Sequence, residues 1–177
     1  SAIILEDKIG LKKNSLFSNQ SKNLQDTVDN FCKKIRVCKK SQISDDFMVI
    51  ARIESFIVGK NLKDALKRGK KYIQSGADAL MIHSKEKNPK EIFAFSKKIK
   101  KFDKNIKLVA VPSTYSHVSE KELIKNGFSI VIYANHLLRA SIPAMKNVAM
   151  RILKDKKSSG TEKQIMSIKE ILNYIGD

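Results

Sequence analysis

The 177-residue sequence contains no tryptophan, two cysteines, three prolines and seven glycines. Each scarcity excludes something. Two cysteines, Cys32 and Cys38, supply no disulfide framework and no second pair for a zinc site. Six positions apart on one expected helix, they face different ways and read as free thiols of a reducing, cytoplasmic setting. The glycines form no G-x-G or G-K-[ST] pattern, so there is no Gly-rich phosphate cradle. The three histidines hold no metal spacing, and no serine sits in a nucleophile elbow. No apolar run approaches the roughly 18 residues of a membrane span. Residues 1–6 carry no basic segment ahead of an apolar core, so no secretory leader is read there. The chain has no initiator Met and opens directly on Ala2-Ile3-Ile4-Leu5, from which a missing upstream segment is expected.

Arginine is also scarce. Of 35 basic residues 30 are lysine and five arginine, against 18 acidic residues, for a net charge of +17. Arginine is the residue that base readout and phosphate forks favour. The lysines are scattered, and the aromatic residues, 7% of the chain, are not interleaved with them as a stacking surface would need. A solvated lysine surface is expected, with neither nucleic acid nor membrane as partner. With 42% hydrophobic and 30% charged residues, the composition is that of a globular domain.

What is present is a rhythm. Apolar runs at residues 2–5, 48–51, 79–82, 108–111 and 129–133 lack alternation, as buried parallel strands do. Helical patterns at 23–40, 61–74, 89–101, 119–126 and 137–153 separate and follow them. Gly76 and Gly127 stand where a helix must end before a strand. The order is an α/β parallel sheet. Periodicity alone allows an open flavodoxin-like sheet or part of an eight-fold barrel. Either way, ligand chemistry belongs at the carboxyl ends of the strands.

Polar groups follow every strand there: Glu6-Asp7-Lys8, Arg52 and Glu54, His83-Ser84-Lys85, Ser113-Thr114-Tyr115, and Asn135-His136. Arginine, histidine and lysine together suit an anionic ligand. Glu6 and Asp7 suit a divalent cation with oxygen ligands. Arg52 could instead merely pair with Glu54 or Glu6, His83 be a satisfied strand-end histidine, and Asn135 cap the following helix. The polar connection at 8–22 is long for a βα link and has the make-up of an active-site lid or of a plain surface loop.

Several motifs in order carry a resemblance: Leu5-Glu6-Asp7-Lys8, Lys12-x-Asn14-Ser15-Leu16, Ala51-Arg52-Ile53-Glu54-Ser55-Phe56, Gly76-Ala77-Asp78-Ala79, Ile82-His83-Ser84-Lys85, and Tyr133-Ala134-Asn135-His136 with Leu138-Arg139-Ala140-Ser141. In this spacing the chain resembles the phosphoenolpyruvate mutase branch of the isocitrate lyase superfamily over nearly its whole length. The resemblance implies a Mg²⁺-dependent (β/α)8 TIM-type barrel enzyme that interconverts phosphoenolpyruvate and phosphonopyruvate. Residues 1–153 would be the C-terminal part of that barrel, strands four to eight with their helices and a lid at 8–22. A polar linker at 154–163 and a C-terminal helix and tail at 164–177 would follow.

The resemblance also assigns roles. Lys12, Asn14, Arg52 and His83 are the implied catalytic residues. Arg52 and His83 would bind the substrate's anionic groups together with Asn14, Ser15 and Leu16 of the lid, Asn14 at the transferring phosphoryl group. Glu6 would meet Mg²⁺ through a bound water. The Asp ligands of the metal belong to the family's first three strands, so the chain is expected to be incomplete at its start and inactive alone. A homo-oligomer, tetramer or dimer of dimers, is implied. The superfamily's lyases carry a catalytic Cys in the lid, and neither cysteine lies there. Leu11 replaces the usual Pro of the lid, and Tyr133 stands where a Trp is common; neither change removes a chemical group. Phosphonopyruvate hydrolase resembles a Thr-bearing lid where this chain has Asn14, which favours the mutase. The alternatives are that hydrolase, or a non-catalytic half-barrel binding polyanions.

Overall fold

The computed structural model describes residues 1–11, 15 and 24–175. Five strands, β1 (Ala2–Glu6), β2 (Met48–Ile53), β3 (Ala79–Ile82), β4 (Lys107–Ala110) and β5 (Ile130–Val131), alternate with α1 (Val28–Lys40), α2 (Leu62–Gln74), α3 (Lys90–Phe102) and α4 (Glu120–Lys125). Neighbouring strands are all parallel and lie side by side in sequence order. That order decides between the two folds left open by periodicity. A doubly wound sheet reverses at a switch point and seats its first strand between later ones. A barrel wall adds every strand on the same side as the one before. The sheet here is a barrel wall. β5 is shorter than its apolar run, although Ser129 N–H to Leu108 O and Ile132 N–H to Ala110 O, both 2.9 Å, extend its pairing.

Side chains alternate across a strand. Leu5, Val49, Ala51, Ile53, Leu80, Ile82, Leu108 and Ala110 face the helices and join Phe31, Ile35, Tyr72, Ile92, Phe95 and Ile99 in the main core. The opposite face carries Glu6, Arg52, Met81, Val109 and Ile130, which the register sets in one row across the sheet. This row is where function has to be sought, because the other face is filled by packing.

The helices begin and end on local chemistry. Thr27, Asn61 and Ser119 accept the backbone N–H three residues on, satisfying donors that a first turn leaves open. Gly76, at φ +98°, closes α2 with N–H bonds from Gly76 to Ile73 O and from Ala77 to Tyr72 O. That paired pattern needs the left-handed backbone which glycine adopts at little cost. Gly127 repeats it after α4.

Residues 134–177 form a second compact unit: α5 (His136–Asp155), a 3-10 turn at Ser159–Gln164 and α6 (Ile168–Ile175). Asn135 stands at the start of α5 as expected. However, its backbone is left-handed (φ 56°) and its side chain makes no capping bond, so it does not cap in the usual way. Among the described residues no helix is long and apolar enough to cross a membrane. Cys32 and Cys38 are free thiols.

Gly69 marks the tightest helix contact. A Cβ there would meet Ile99 Cδ1, Leu80 Cδ1 and Phe95 Cζ, each at 3.2 Å. Gly69→Val is therefore expected to cost about 1–3 kcal/mol through overpacking. Urea unfolding checks this, and a loss below about 0.5 kcal/mol would mean that α2 does not press on α3 and β3 as described.

Candidate active site

Glu54 is the residue around which the strand ends are organised. It follows β2 and its side chain is fully buried. A buried carboxylate costs several kcal/mol unless cations and hydrogen bonds surround it. Arg52 Nε donates to its Oε1 at 2.5 Å, and Ser15 Oγ donates to its Oε2 at 2.8 Å. Lys8 Nζ stands 3.8 Å from the same Oε2, on a side chain only 9% exposed. Arg52 in turn donates from one terminal nitrogen to Glu6 Oε1 at 3.0 Å and from the other to Ser15 Oγ at 2.6 Å.

Arg52 thus pairs with both carboxylates considered for it in the sequence. Pairing does not exhaust it. A guanidinium has five N–H groups, and three of them are engaged by described residues. The remaining two have no partner among the described residues. Arg52 and Lys8 balance Glu6 and Glu54 in formal charge, so an arriving anion adds negative charge where none is yet in excess.

His83, two residues beyond Met81, continues the row on that face. Its N–H bonds Ile53 O at 3.4 Å. Burial pulls its pKa down to about 4, helped by the positive charges of Arg52 and Lys8 and opposed by Glu6. The imidazole is therefore neutral at physiological pH, with one donor and one acceptor nitrogen. Beside it, Ser84 Oγ donates to Glu91, and Thr114 Oγ1 donates to Ser84 O at 3.3 Å. These bonds fix the loops after β3 and β4.

Asp7 corrects the expectation that both acidic residues after β1 suit a cation. Adjacent residues on a strand point to opposite faces, so Glu6 reaches Arg52 while Asp7 turns under the helices. The Asp7 carboxylate is fully buried and accepts from Tyr72 Oη at 2.7 Å, Gln25 Nε2 at 3.0 Å, the Glu54 backbone N–H at 2.9 Å and Arg68 at 3.2 Å. Burial raises its pKa to about 6 against the pull of those donors. No lone pair is left to hold a metal.

Of the expected site residues, the structure brings Glu6, Ser15, Arg52 and His83 to one end of the sheet. Lys12, Asn14 and Leu16 lie outside the described residues. Asn135 and His136 belong to the second unit. Sequence reasoning took Glu54 only as a partner of Arg52, and gave Arg68 and Tyr72 no part in a polar cluster. A signal for the latter pair existed: Asp64, Arg68 and Tyr72 recur every four residues on one face of α2, and a charged residue on an apolar stripe marks a buried pair.

The expected Mg²⁺ finds no primary site here. Among the described residues no group of three His, Cys, Asp or Glu side chains could hold a metal. Glu6, expected to meet the metal through water, is bound to Arg52.

The family model for phosphoenolpyruvate phosphomutase matches residues 1–153. The chain belongs to that family. It is 38% identical over 177 residues to a phosphoenolpyruvate phosphomutase of Tetrahymena pyriformis, covering all of this chain and 58% of the relative. The crystal structure of a phosphoenolpyruvate phosphomutase from Streptomyces platensis subsp. rosaceus superposes with a TM-score of 0.90 at 37% identity, over 99% of this chain and 59% of that one. A phosphonopyruvate hydrolase in complex with oxalate and Mg++ matches with a TM-score of 0.84 at 34% identity, over 99% and 58%. The chain therefore spans somewhat under two thirds of the length of these relatives. The expected fold holds: the consecutive parallel strands are those of the family's (β/α)8 barrel.

The neutral state of His83 is measurable. Its folded pKa lies below its ordinary value, so the neutral form favours the fold. That contribution is complete above about pH 6.5 and is lost as pH falls through about 4. Asp7 runs the other way, its contribution lost as pH rises through about 6. The two oppose each other in between, so the His83 share is read as the difference between the wild type and His83→Gln. Imidazole proton shifts are expected to titrate near pH 4, and a midpoint at or above 6 contradicts the buried, cation-flanked setting.

Proposed function

We propose that the protein is a phosphoenolpyruvate mutase, interconverting phosphoenolpyruvate and phosphonopyruvate. The observation that carries this reading is the Arg52 guanidinium, held between Glu6, Glu54 and Ser15 with donors to spare, next to a neutral His83. The family supports the same reading. In the reaction the phosphorus–oxygen bond of the enol ester breaks and a phosphorus–carbon bond to the former methylene forms. No atom enters or leaves.

Such a transfer needs positioning and positive electrostatics more than covalent help from the protein. Arg52 would take the substrate's carboxylate or phosphoryl oxygens through its two remaining N–H groups. His83, being neutral, would donate one hydrogen bond to an anionic oxygen without delivering a proton to the reacting carbon. Ser15, bonded to Arg52 and Glu54, ties the β1–α1 connection to the site. Asn14 is proposed at the transferring phosphoryl group, and Lys12 and Leu16 beside it, as parts of a lid that excludes water from a hydrolysable group. Mg²⁺ would neutralise charge on the substrate oxygens. Glu6 would meet it through water, and the described residues supply no inner ligands for it.

The hydrolase reading is favoured by the comparable likeness to a phosphonopyruvate hydrolase. There water would add its oxygen to phosphorus, and the three-carbon fragment would take a proton to become pyruvate. Asn14 in the mutase-like position favours isomerisation. Assembly as a homo-oligomer, dimer of dimers or tetramer, is proposed with it, supported by exposed Leu138, Met145 and Leu153 on α5 and Leu172 on α6.

Phosphorus NMR of the product of the complete coding sequence with phosphonopyruvate and Mg²⁺ tests the reading. Growth of phosphoenolpyruvate supports the mutase. Inorganic phosphate with pyruvate means the hydrolase, and unchanged substrate removes both. Arg52→Ala is expected to lower kcat/KM at least about a hundredfold, because a bound anion loses its partner. Asn14→Ala is expected to lower turnover or divert product to phosphate. Full rate in both variants would overturn the site assignment.

A further inference from the structure

The β1–α1 connection leaves and re-enters the fold through a short antiparallel stem. Ile9 N–H bonds Leu24 O at 2.8 Å, Lys8 pairs with Gln25, and Asp26 N–H bonds Asp7 O at 2.9 Å. Beneath this stem lies a buried polar cluster that the chemistry above does not use. Asp7 is its centre, and its polar atoms together reach the end of β2, the returning limb and α2.

Its carboxylate takes the Glu54 N–H from the end of β2, Gln25 Nε2 from the returning limb, and Tyr72 Oη and Arg68 from α2. Its own N–H bonds Arg52 O at 3.1 Å. Arg68, 4% exposed, also donates to Asp26 O at 2.8 Å on the returning limb and to Asp64 at 3.0 Å. Asp64 accepts from Ser55 Oγ at 2.7 Å, and Gln25 Nε2 lies 3.2 Å from the same Ser55 oxygen. Gln25 Oε1 is the one buried side-chain polar atom without a partner among the described residues. Gln25 is therefore oriented by what its nitrogen donates to, chiefly Asp7.

We propose that Asp7, held by Arg68 and Tyr72, is a positioning residue that locks both limbs of the β1–α1 connection to the Arg52–Glu54 strand end. Through this clamp the two limbs are fixed beside Arg52, whose pairing with Glu54 Ser15 completes. A stabilising core cluster would hold the whole sheet; this cluster is placed to hold one junction. The inference rests on the reading above that Arg52 and Ser15 face the substrate, and its test separates the two.

Asp7→Asn keeps the volume but turns an NH2 group toward donors, so the clamp is lost. Tyr72→Phe is the milder variant: it removes one donor and keeps the ring against Phe31, centroids 4.7 Å apart. Amide hydrogen exchange is followed in both. Exchange at Ile9, Asp26 and Glu54 is expected to accelerate about tenfold or more, while Leu80 and Met81 at the sheet centre change by less than about twofold. Uniform acceleration at all five amides would mean a merely stabilising cluster and overturns the proposal, as does unchanged exchange at the stem.

In the turnover assay kcat is expected to fall about tenfold with KM within about twofold, because the lost element is orientation and not binding. A fall in neither, with the stem loosened, overturns the link to the site. If the wild type itself turns over nothing, the mutase reading fails and the exchange result alone decides the clamp.

Discussion

Burying the Glu54 carboxylate is the constraint on which the site depends. A charge with no exposed surface has to be compensated, and Arg52, Lys8 and the Ser15 hydroxyl converge on it from two elements. Convergence leaves two further N–H groups of Arg52 without a partner among the described residues. The same cations that compensate Glu54 help keep His83 neutral. Burial of His83 itself is the larger cause of that neutrality, and the cations gathered at Glu54 add to it.

Strand alternation divides the labour. Every second residue of β1 and β2 goes to the helix layer and every other to the opposite face, so Glu6 and Asp7 have unrelated fates despite adjacency. Arg52, half-buried, and Arg68, buried, are likewise two guanidiniums with different tasks. Arg52 retains donors beside the site. Arg68 is spent on Asp7, Asp64 and the Asp26 carbonyl, which ties α2 to the root of the β1–α1 connection.

Much of the fold was legible because its signals are local. Apolar runs without alternation marked the parallel strands, and Gly76 and Gly127 marked two helix ends. The barrel was not legible from period, since flavodoxin-like sheets share it; the strand order decided it. At the site, Arg52, His83 and Glu6 were readable from their places at the carboxyl ends of apolar runs, although Glu6 and Arg52 lie within β1 and β2 themselves. The partners that Glu6 and Asp7 meet were not, because they depend on register against β2. Nor was the weight of Glu54, since burial of a carboxylate is a property of what folds over it. Arg68 left a trace in the four-residue spacing on α2, but its partners Asp7 and the Asp26 carbonyl lie on two limbs distant in sequence.

The most direct measurement is a double-mutant cycle on unfolding free energy, with Arg52→Met, Glu54→Gln and the pair. If Glu54 organises the strand ends through Arg52, each single change strands a partner and the pair costs less than the sum. The account predicts a coupling of about 1–3 kcal/mol. Additivity within about 0.3 kcal/mol would show that the two side chains do not depend on each other, and the site would need another organising group.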